Sequence, residues 1–588
     1  MKTDYAALGK RALERLRATC PLADEVQRDI LFEILSKNRN TEFGRKYGFS
    51  QIKSIADFQK KVPLSGYDDY EGDILRIVRG GKNILTAEEP VYFCISSGTT
   101  GDEKFIPVTG GDVEMQYLYD YGLVFGAVRE YYGGMDEREI FGKIFQVGEF
   151  GKTFMDDGRI KGIRSGCVYL CADQFVGFDA SDYCVPKELL FPESLEDQLY
   201  LKLRFALAER GLTAIHGVFI NRVAAVMDYL VQNWNMLLND MERGTIDEAV
   251  ELSEAQRRHF NETLPPNPER ARELREIPLR KSLHGIIPKI WKNMKYILAI
   301  GGKSFPYFTE KVMEYAGEVP ICHYAYAASE CVFGVAEKMN IPDRYILFPE
   351  AVFFEFIPIK EPHKILTMSE LKTGGKYEII FTNRSGLYRY RLGDVVEVVG
   401  WFDRAPVVKY SYRINQVINI AGEKTNCEQL SMAVRRFSEI TGADVMGYCV
   451  CEDYSGLIPR YLFYIECSDD STIGNANSRF TGKAGGNATD NTDGNTASEA
   501  PGVTGSFAEV ILEECMRNAN FDYRSCESMN EIAPLKLAFL QAGSFRKYEK
   551  RLAGTGKPMG QNKLLHFLDT DEKKEFFARQ ILKKENGL

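Results

Sequence analysis

Hydrophobic residues recur along this chain with two different periods. Near the N-terminus, Leu22, Val26, Ile30 and Ile34 fall one helical turn apart with charged residues between them, so the first forty residues are predicted to be helical. The same helical pattern returns over residues 199–239, where one glycine interrupts it. Long helices are therefore expected in the first half of the chain.

Short runs of β-branched and aromatic residues predict buried strands. "VYFC" precedes a loop of small residues, and "TAIHGVFI" lies inside the second helical region. After residue 290 such runs become frequent and alternate with Gly, Pro and Asp; they cover residues 295–302, 319–330, 352–359, 377–383 and 394–402. Strands and helices mixed on this scale predict an α/β fold.

Two segments lack either period. Residues 65–73 are polar and are predicted to form turns. Residues 468–507 consist mainly of Gly, Asn, Thr, Ser, Asp and Ala, with almost no large apolar side chains. This composition predicts a disordered insertion or a long surface loop inside a domain.

Composition and charge narrow the class of protein. A chain of 588 residues is too long for one core, so two or more domains are expected. The net charge of -9 gives no electrostatic reason to expect nucleic acid as a partner. The 13 cysteines and 6 histidines show no metal-ligand spacing, which favours free buried thiols. No signal peptide or bilayer-spanning segment is recognised, so a cytoplasmic protein without a membrane partner is predicted.

The first candidate motif is "ISSGTTGDEKFIPVT", which directly follows a predicted strand. Its small, hydroxyl and cationic residues are Ser96, Ser97, Gly98, Thr99, Thr100, Gly101 and Lys104. Glycines let successive backbone N–H groups point at one anion, and the hydroxyls and the lysine add donors and charge. The loop lacks the Gly-Lys-Ser/Thr end of a Walker P-loop, so a phosphate cradle and a plain hairpin turn both remain open.

The second motif is "YAYAASE", residues 324–330. Tyr326 offers a flat face on which a purine can stack, Ser329 offers a hydroxyl, and Glu330 offers a carboxylate suited to Mg²⁺. The alternative is a core tyrosine followed by the N-cap and first-turn acid of a helix.

The third motif is "GLYRYRLGDVVEVVG", residues 386–400. Its Gly393-Asp394 pair places a carboxylate at the start of a strand, where an acid can accept hydrogen bonds from both hydroxyls of a ribose. The alternative is a β-turn formed by the same two residues.

The fourth motif is "YRINQVINIAGEKTNCEQL", residues 412–430. Arg413 precedes a strand-like stretch, and Gly422 to Thr425 form a polar turn before a predicted helix. Taken alone, this pattern favours a solvated turn with ordinary surface charges.

The order of these motifs resembles the adenylate-forming enzyme superfamily. Within it, the chain is most similar to the Gretchen Hagen family of acyl-acid amido synthetases, the auxin-responsive type. The serine-rich loop followed by Lys104 and Pro107, the Tyr-x-x-Ser-Glu of residues 326–330, the Gly-Asp pair and Lys424-Thr425 carry the resemblance. "NTEFGRKYGF" and "AGSFRKYEKRLAGTGKPMGQNK" extend it over nearly the whole chain except residues 468–507.

This resemblance implies an enzyme that uses ATP and Mg²⁺ to convert a carboxylic acid to an acyl-adenylate and then transfers the acyl group to an amine, an amino acid. It implies nucleotide contacts from Ser96, Ser97, Gly98, Thr99, Thr100, Gly101, Lys104, Tyr326, Ala328, Ser329, Glu330, Asp394, Arg413 and Lys424. Glu330 is expected to organise the metal ion, and Lys424 to contact the α-phosphate. Glu330, Lys424 and Lys563 are the expected catalytic residues. The family's C-terminal motif is altered here, since "GQNKLLHF" keeps only its glutamine and Lys563.

The resemblance also implies the architecture. Residues 1–410 are expected to form a large multi-layer domain with flanking helices and a β-barrel-like part, which holds ATP and the acid. Residues 411–588 are expected to form a smaller, mobile α/β domain that changes orientation between the two half-reactions. The acyl pocket is expected near the 115–130 helix and the 212–222 strand.

Two other functions remain open at this point. One is an acyl-adenylating ligase that passes its acyl group to coenzyme A. The other is a nucleotide-binding protein without catalysis. A metal hydrolase has no ligand set in the sequence. The sequence identifies neither the acid, nor the amine, nor the oligomeric state.

Overall fold

The fold is taken from a computed structural model of the whole chain. It describes residues 4–97, 103–148, 153–171, 179–191, 199–279, 282–302, 306–323, 325–414, 417–418, 420–421, 423, 425–456, 458–468, 507–528, 531–553 and 565–582. These residues divide into two compact units, the first ending at Ser411 and the second beginning at Tyr412. Within the described ranges, no helix combines the length and the apolar composition needed to cross a membrane.

The helices of the first unit are numbered in chain order. They are α1 Tyr5–Thr19, α2 Ala23–Asn38, α3 Glu42–Lys46, α4 Ile55–Lys61, α5 Tyr67–Val78, α6 Gly110–Gln116, α7 Gly122–Tyr131, α8 Glu137–Ile140, α9 Arg164–Leu170, α10 Lys187–Leu190, α11 Leu199–Ala208, α12 Ile220–Gln232, α13 Trp234–Arg243, α14 Glu254–Thr263, α15 Pro268–Arg275, α16 Ile286–Ile290 and α17 Pro306–Ala316. A π-helical turn, Tyr117–Tyr121, joins α6 to α7.

The strands of the first unit form three sheets among the described residues. The strands are β1 Pro90–Ser97, β2 Glu103–Thr109, β3 Lys143–Gln146, β4 Thr153–Phe154, β5 Ile160–Gly162, β6 Leu212–Phe219, β7 Tyr296–Ile300, β8 Ile321–Cys322, β9 Ala325–Ala327, β10 Val332–Ala336, β11 Tyr345–Leu347, β12 Phe353–Pro358, β13 Lys376–Thr382, β14 Tyr390–Phe402 and β15 Ala405–Arg413. The strand orders are β2-β1-β5-β4, β3-β6-β7-β8 and β12-β13-β14-β15-β11-β10-β9.

Strand direction places several chain segments at one edge of each sheet. In the β3-β6-β7-β8 sheet the neighbouring strands run parallel, so the carboxyl ends of its strands lie at the same edge. Its strand β7 is apolar throughout and largely buried, as expected for a strand covered on both faces. In the first sheet β1 runs parallel to β5, with Cys94 opposite Gly162. The segments that leave β1 and β5 therefore start from a common edge as well.

The second unit is a smaller α/β structure. Its described elements are the strands β16 Val417–Ile418, β17 Thr425–Asn426, β18 Val445–Asp453, β19 Arg460–Cys467 and β20 Ala533–Leu540, and the helices α18 Cys427–Thr441, α19 Phe507–Ala519, α20 Phe521–Ser528, α21 Ser544–Ala553 and α22 Asp571–Ala578. The sheet order is β18-β19-β20, and its core includes Phe437, Tyr461 and Leu512.

The α/β class is confirmed, and two local predictions need correction. The N-terminal helix is interrupted at Pro21 by a 3-10 turn, Cys20–Leu22, which leaves the Leu22 side chain 51% exposed. Helix α5 begins inside the segment predicted as turns, and its buried face consists of Tyr67, Tyr70, Ile74 and Ile77. A hydrophobic pattern that counts tyrosine as polar does not show this buried face, so the helix was not predicted. Most of the predicted insertion, residues 469–506, lies outside the described residues.

Candidate active site

The serine-rich motif begins at the end of an antiparallel strand pair. Strands β1 and β2 stay in register up to Ser97 opposite Glu103, with Ser96 opposite Lys104. Ser96 and Ser97 are thus placed by their backbone at the end of β1, while Gly98 to Gly101 lie outside the described residues. The two strands form the hairpin that one interpretation expected, and the phosphate-binding role of the loop stays a prediction.

Lys104 is held next to this loop by an aromatic ring. Its Nζ lies 4.6 Å from the ring centroid of Tyr67, and the Tyr67 hydroxyl accepts a hydrogen bond of 3.0 Å from the Phe105 backbone. Among the described residues its ion-pair partner is Asp68, with Oδ1 at 4.0 Å, and the Asp68 side chain is 97% exposed. Water strongly screens so exposed an ion pair. Asp68 therefore neutralises little of the positive charge of Lys104, which remains available to bind an anion.

Glu330 lies close to the same hairpin. Tyr390 donates a 3.1 Å hydrogen bond to its Oε1, and the side-chain amide of Asn383 donates a 3.2 Å hydrogen bond to its carbonyl oxygen. Burial raises the pKa of Tyr67, and the negative charge of Glu330 contributes to that rise. A carboxylate near the loop, with one described donor on one of its oxygens, fits Mg²⁺, which takes one or two carboxylates together with substrate phosphates. The described residues contain no larger ligand group for a metal ion.

Asp394 is held by the tyrosine of the second motif. The Tyr326 hydroxyl donates a 3.0 Å hydrogen bond to Asp394 Oδ2, and both side chains are buried. The Tyr326 ring packs against Phe333 and Tyr345, with centroids 5.5 Å and 6.1 Å away. The structure therefore shows the Tyr326 hydroxyl bound to Asp394 and the Tyr326 ring packed against other rings. Contact of Tyr326 with adenine stays a prediction.

The β-turn alternative is wrong, and the alternative for the second motif is right about a core tyrosine at Tyr326 but wrong about a helix start. Gly393 and Asp394 lie inside β14, at an irregularity where Glu378 pairs with Val395 and Ile380 with Arg391, so they form a bulge and not a β-turn. Gly393 has φ +80°, which glycine adopts without strain. Ala328, Ser329 and Glu330 connect β9 to β10, so no helix begins at Ser329.

A buried ion pair fixes the start of β14, directly before Tyr390. Arg389 donates from Nε and Nη2 to the Glu355 carboxylate, each at 2.9 Å, and from Nη1 to the Gln59 carbonyl at 2.7 Å. Both charged side chains are fully buried. The pair orients the strand that supplies both Tyr390 and Asp394.

The remaining predicted site residues belong to the second unit or to the end of β15. Arg413 is the last residue of β15, while Lys424 and Lys563 lie outside the described residues. Glu423 contradicts the expected solvated turn, because its side chain is only 1% exposed. Its carboxylate accepts 2.7 Å hydrogen bonds from the backbone N–H groups of Ile420 and Ala421 and from the Tyr461 hydroxyl.

A cavity lies in the first unit beside the two elements where the acyl pocket is expected. It contains about 330 Å³ of atom-free space, including its mouth. Its wall consists of Asp120, Tyr121, Val124, Gln146, Ser165, Tyr169, His216, Gly217, Val218 and Leu298. Asp120 comes from the π-helical turn, a feature often found at functional sites. The strand residues come from β3, β6 and β7, whose carboxyl ends share an edge where α/β proteins commonly bind ligands.

Several of these residues carry no signal in the sequence. Tyr67 reaches Lys104, and Asn383 reaches Glu330, only through packing between distant parts of the chain. Tyr390 stands in the third motif, but only the structure shows that it donates to Glu330. A buried acid in a polar turn, as at Glu423, resembles any surface turn until its neighbours are known.

Three family models match the chain along most of its length. The GH3 family N-terminal domain matches residues 12–321, the GH3 family central domain matches residues 345–413, and the GH3 family C-terminal domain matches residues 428–572. The three matches include the loop from Ser96 to Lys104 together with Asp394, Arg413 and Lys563, whereas residues 326–330 and Lys424 lie between the matched ranges.

Individual proteins are similar over comparable lengths. The probable indole-3-acetic acid-amido synthetase GH3.11 of Oryza sativa subsp. japonica is 28% identical, covering 95% of this chain and 94% of that protein. The indole-3-acetic acid-amido synthetase GH3.4 of Arabidopsis thaliana is 28% identical over 78% of each chain. The solved structure "AtGH3.15 acyl acid amido synthetase in complex with 2,4-DB" is 22% identical, covers 99% of this chain and 98% of that chain, and superposes with a TM-score of 0.79. That superposition shows a shared fold.

Proposed function

Because the chain belongs to the GH3 family, we propose that it activates a carboxylic acid with ATP and transfers the acyl group to an amine, giving an amide. A carboxylate oxygen attacks the α-phosphorus of ATP, and the bond to pyrophosphate breaks. The amine nitrogen of an amino acid then attacks the acyl carbon, the bond to AMP breaks, and the amide forms with loss of a proton. The relatives, named as amido synthetases, support amide formation as the outcome.

One observation carries the proposal. Two hydrogen bonds join the second motif to the third: Tyr326 donates to Asp394, and Tyr390 donates to Glu330. These two hydrogen bonds link the segment of Glu330, a carboxylate suited to Mg²⁺, to the segment of Asp394, a carboxylate suited to a ribose. Lys104 lies 4.6 Å from the Tyr67 ring, and the charge of Glu330 acts on Tyr67, which supports a common site for the lysine and this carboxylate.

The chemistry assigns a role to each group. The first obstacle is charge, because an anionic carboxylate must approach an anionic phosphate. The loop from Ser96 to Gly101 would bind the phosphates through backbone N–H groups and hydroxyls, and Lys104 would neutralise part of their charge. Bound Mg²⁺, held by Glu330, would supply further neutralisation. These residues position ATP for an in-line attack.

Buried side chains would bind the nucleoside end of ATP. Asp394 would accept hydrogen bonds from the ribose hydroxyls, with Tyr326 fixing the carboxylate's orientation. Ala328 and Ser329 would contribute contacts along the same segment. From the C-terminal region, Lys424 would contact the α-phosphate, and Arg413 and Lys563 would assist.

The same proposal divides the work between domains. Residues 1–410 would hold ATP and the acid, the latter in the cavity beside Asp120. Residues 411–588 would form the smaller domain that supplies Lys424 and completes the site. A cytoplasmic location and the absence of nucleic-acid and membrane partners remain part of the proposal.

A product assay tests the proposal against transfer to coenzyme A. Purified protein with ATP and Mg²⁺ is screened for pyrophosphate release across aryl and alkyl carboxylic acids, with an amino-acid panel or with coenzyme A. We expect at least one acid to give stoichiometric pyrophosphate, AMP and amide with amino acids, and no thioester. A thioester product would show the coenzyme A ligase instead. No pyrophosphate with any acid would favour a non-catalytic nucleotide-binding protein.

Matched variants connect the assay to the site. Asp394→Asn and Glu330→Gln should each lower kcat/KM at least tenfold, since each removes a charge from the nucleotide contacts. Glu361→Gln, at an exposed position far from these motifs in the chain, should leave it unchanged. Equal losses in all three variants would indicate a general effect and would contradict the assigned roles.

A further inference from the structure

The cavity beside the π-helical turn contains polar atoms without partners. Asp120 Oδ1, Ser165 Oγ and His216 Nδ1 are buried, and none has a hydrogen-bond partner among the described residues. The Asp120 and His216 side chains are 6% and 3% exposed. Because an unpaired buried polar atom is costly, such a cluster is expected to face a hydrogen-bonding ligand group or water.

Asp120 and His216 are each oriented by a contact on the other side of the side chain. Asp120 Oδ2 accepts a 3.4 Å hydrogen bond from the Gln116 amide, and His216 Nε2 lies 3.0 Å from the Tyr296 hydroxyl. One atom of each group is thus anchored in the wall, and the other is left for the cavity. This is a built arrangement and not a chance exposure of polar side chains.

The protonation of the cluster excludes one kind of ligand group. Burial raises the pKa of Asp120 to about 7, although the hydrogen bond from Gln116 and the charge of Arg164 act against the rise. Burial lowers the pKa of His216 to about 3, so the ring is neutral near pH 7. The nearby Arg164 pairs with Asp112, at 3.2 Å. The cluster therefore offers no positive charge to the carboxylate of a ligand. When Asp120 is ionised, its negative charge repels such a carboxylate.

The acid must then enter with its carboxylate at the opposite end. Ser165 lies just beyond β5, which runs parallel to β1, so the cavity and the phosphate loop start from the same sheet edge. In this orientation the carboxylate points toward the carboxyl end of β1, while the far end of the molecule meets Asp120, Ser165 and His216. The figure of about 330 Å³ includes open solvent at the mouth, and the room for a water-sized group is about 20 Å³. The space beside the cluster therefore fits one small polar group, such as a hydroxyl.

We propose that the acid substrate is a compact hydroxy acid whose hydroxyl binds Asp120, Ser165 and His216. A hydroxyl both donates and accepts, so it can satisfy a carboxyl oxygen, a serine hydroxyl and a neutral imidazole nitrogen together. The proposal rests on the proposed function for the step that follows binding, but the binding preference itself is a property of the cavity. A site built for a hydroxyl discriminates strongly against the analogue that lacks it.

Matched pairs of acids test this directly. Binding of phenylacetate and of its 3-hydroxy and 4-hydroxy derivatives is measured by calorimetry with the full-length protein at pH 7, and pyrophosphate release is measured with the same acids. We expect at least one hydroxy isomer to bind at least tenfold more tightly than phenylacetate. Ser165→Ala should reduce that preference severalfold, whereas Val124→Ala, in the same wall but apolar, should change the affinity for both acids alike.

The outcomes separate this inference from the proposed function. Equal binding of phenylacetate and both hydroxy isomers, with pyrophosphate release, would overturn the inference and leave the function intact, because water then satisfies the cluster. A hydroxyl preference in binding with no pyrophosphate release would support the cavity's role and contradict the function. Stronger binding of 4-aminomethyl-phenylacetate, or no binding of any acid in the set, would also overturn the inference.

Discussion

At the scale of single residues, the contact between Tyr326 and Asp394 can be tested by removing one oxygen atom. Tyr326→Phe keeps the ring in its aromatic cluster but deletes the donor that holds Asp394 Oδ2 at 3.0 Å. If Asp394 binds the ribose, we expect the KM for ATP to rise about threefold to tenfold with little change in kcat. Tyr345→Phe, a neighbour in the same cluster, provides the control. An unchanged KM in Tyr326→Phe would contradict the assignment of Asp394.

The buried carboxyl of Asp120 leads to a prediction about how the stability of the protein depends on pH. Its pKa rises to about 7 in the folded protein, above the usual value of about 3.9 in an unfolded chain. Between these values the folded state holds a proton that the unfolded state has released, so the free energy of unfolding falls as pH rises. Gln116 and Arg164 act on this group, and Tyr169 and His216 face the same cavity.

Asp120→Asn removes the titration without changing the side chain's shape. We expect the free energy of unfolding of this variant, relative to the unsubstituted protein, to increase by roughly 2 kcal/mol from pH 5 to pH 8. Urea unfolding at both pH values measures the difference. Asp68→Asn, at a side chain that is 97% exposed, should show no such trend. A difference that is constant or shrinks with pH would show that Asp120 is already ionised at pH 5.

At the scale of elements, Glu423 tests how the turn before α18 is organised. Its carboxylate accepts hydrogen bonds from two backbone N–H groups and one phenol, all donors. Glu423→Gln replaces one acceptor oxygen by an amide NH₂ that must face a donor. We expect the amides of Ile420 and Ala421 to exchange with solvent about tenfold faster, as followed by hydrogen exchange.

The same variant also bears on the site, because the lysine expected at the α-phosphate follows Glu423 directly in the chain. Pyrophosphate release should fall in Glu423→Gln, while an exposed control, Glu531→Gln, should leave both exchange and activity unchanged. Faster exchange with full activity would mean that this turn does not present Lys424 to the nucleotide.

The elements also show what a sequence can predict. Runs such as residues 296–300 and 353–358 were predicted as strands because apolar β-branched and aromatic residues fill a covered sheet. Helix α5 was missed because its buried face relies on tyrosines, and the bulge at Gly393 was missed because a Gly-Asp pair signals a turn equally well. Partners in packing, such as Tyr67 beneath Lys104, are set by tertiary structure and leave no local pattern.

At the scale of the whole molecule, the sequence supplied the family and the order of motifs, and the structure joins the second motif to the third. The motifs at Glu330 and Asp394 are separate in the chain, yet two tyrosine hydroxyls connect them. The cavity beside Asp120 has no counterpart in any single motif. The cavity is formed where side chains from three parallel strands, α9 and the π-helical turn come together.

The central claim is that an oxygen of the organic acid attacks the α-phosphorus of ATP, and isotope transfer tests it most directly. The acid giving the fastest pyrophosphate release is labelled with ¹⁸O in its carboxylate and turned over with ATP and an amino acid. The account predicts one ¹⁸O atom in each AMP, detected by mass spectrometry, with the other retained in the amide. Unlabelled AMP, or ADP with label in inorganic phosphate, would contradict it.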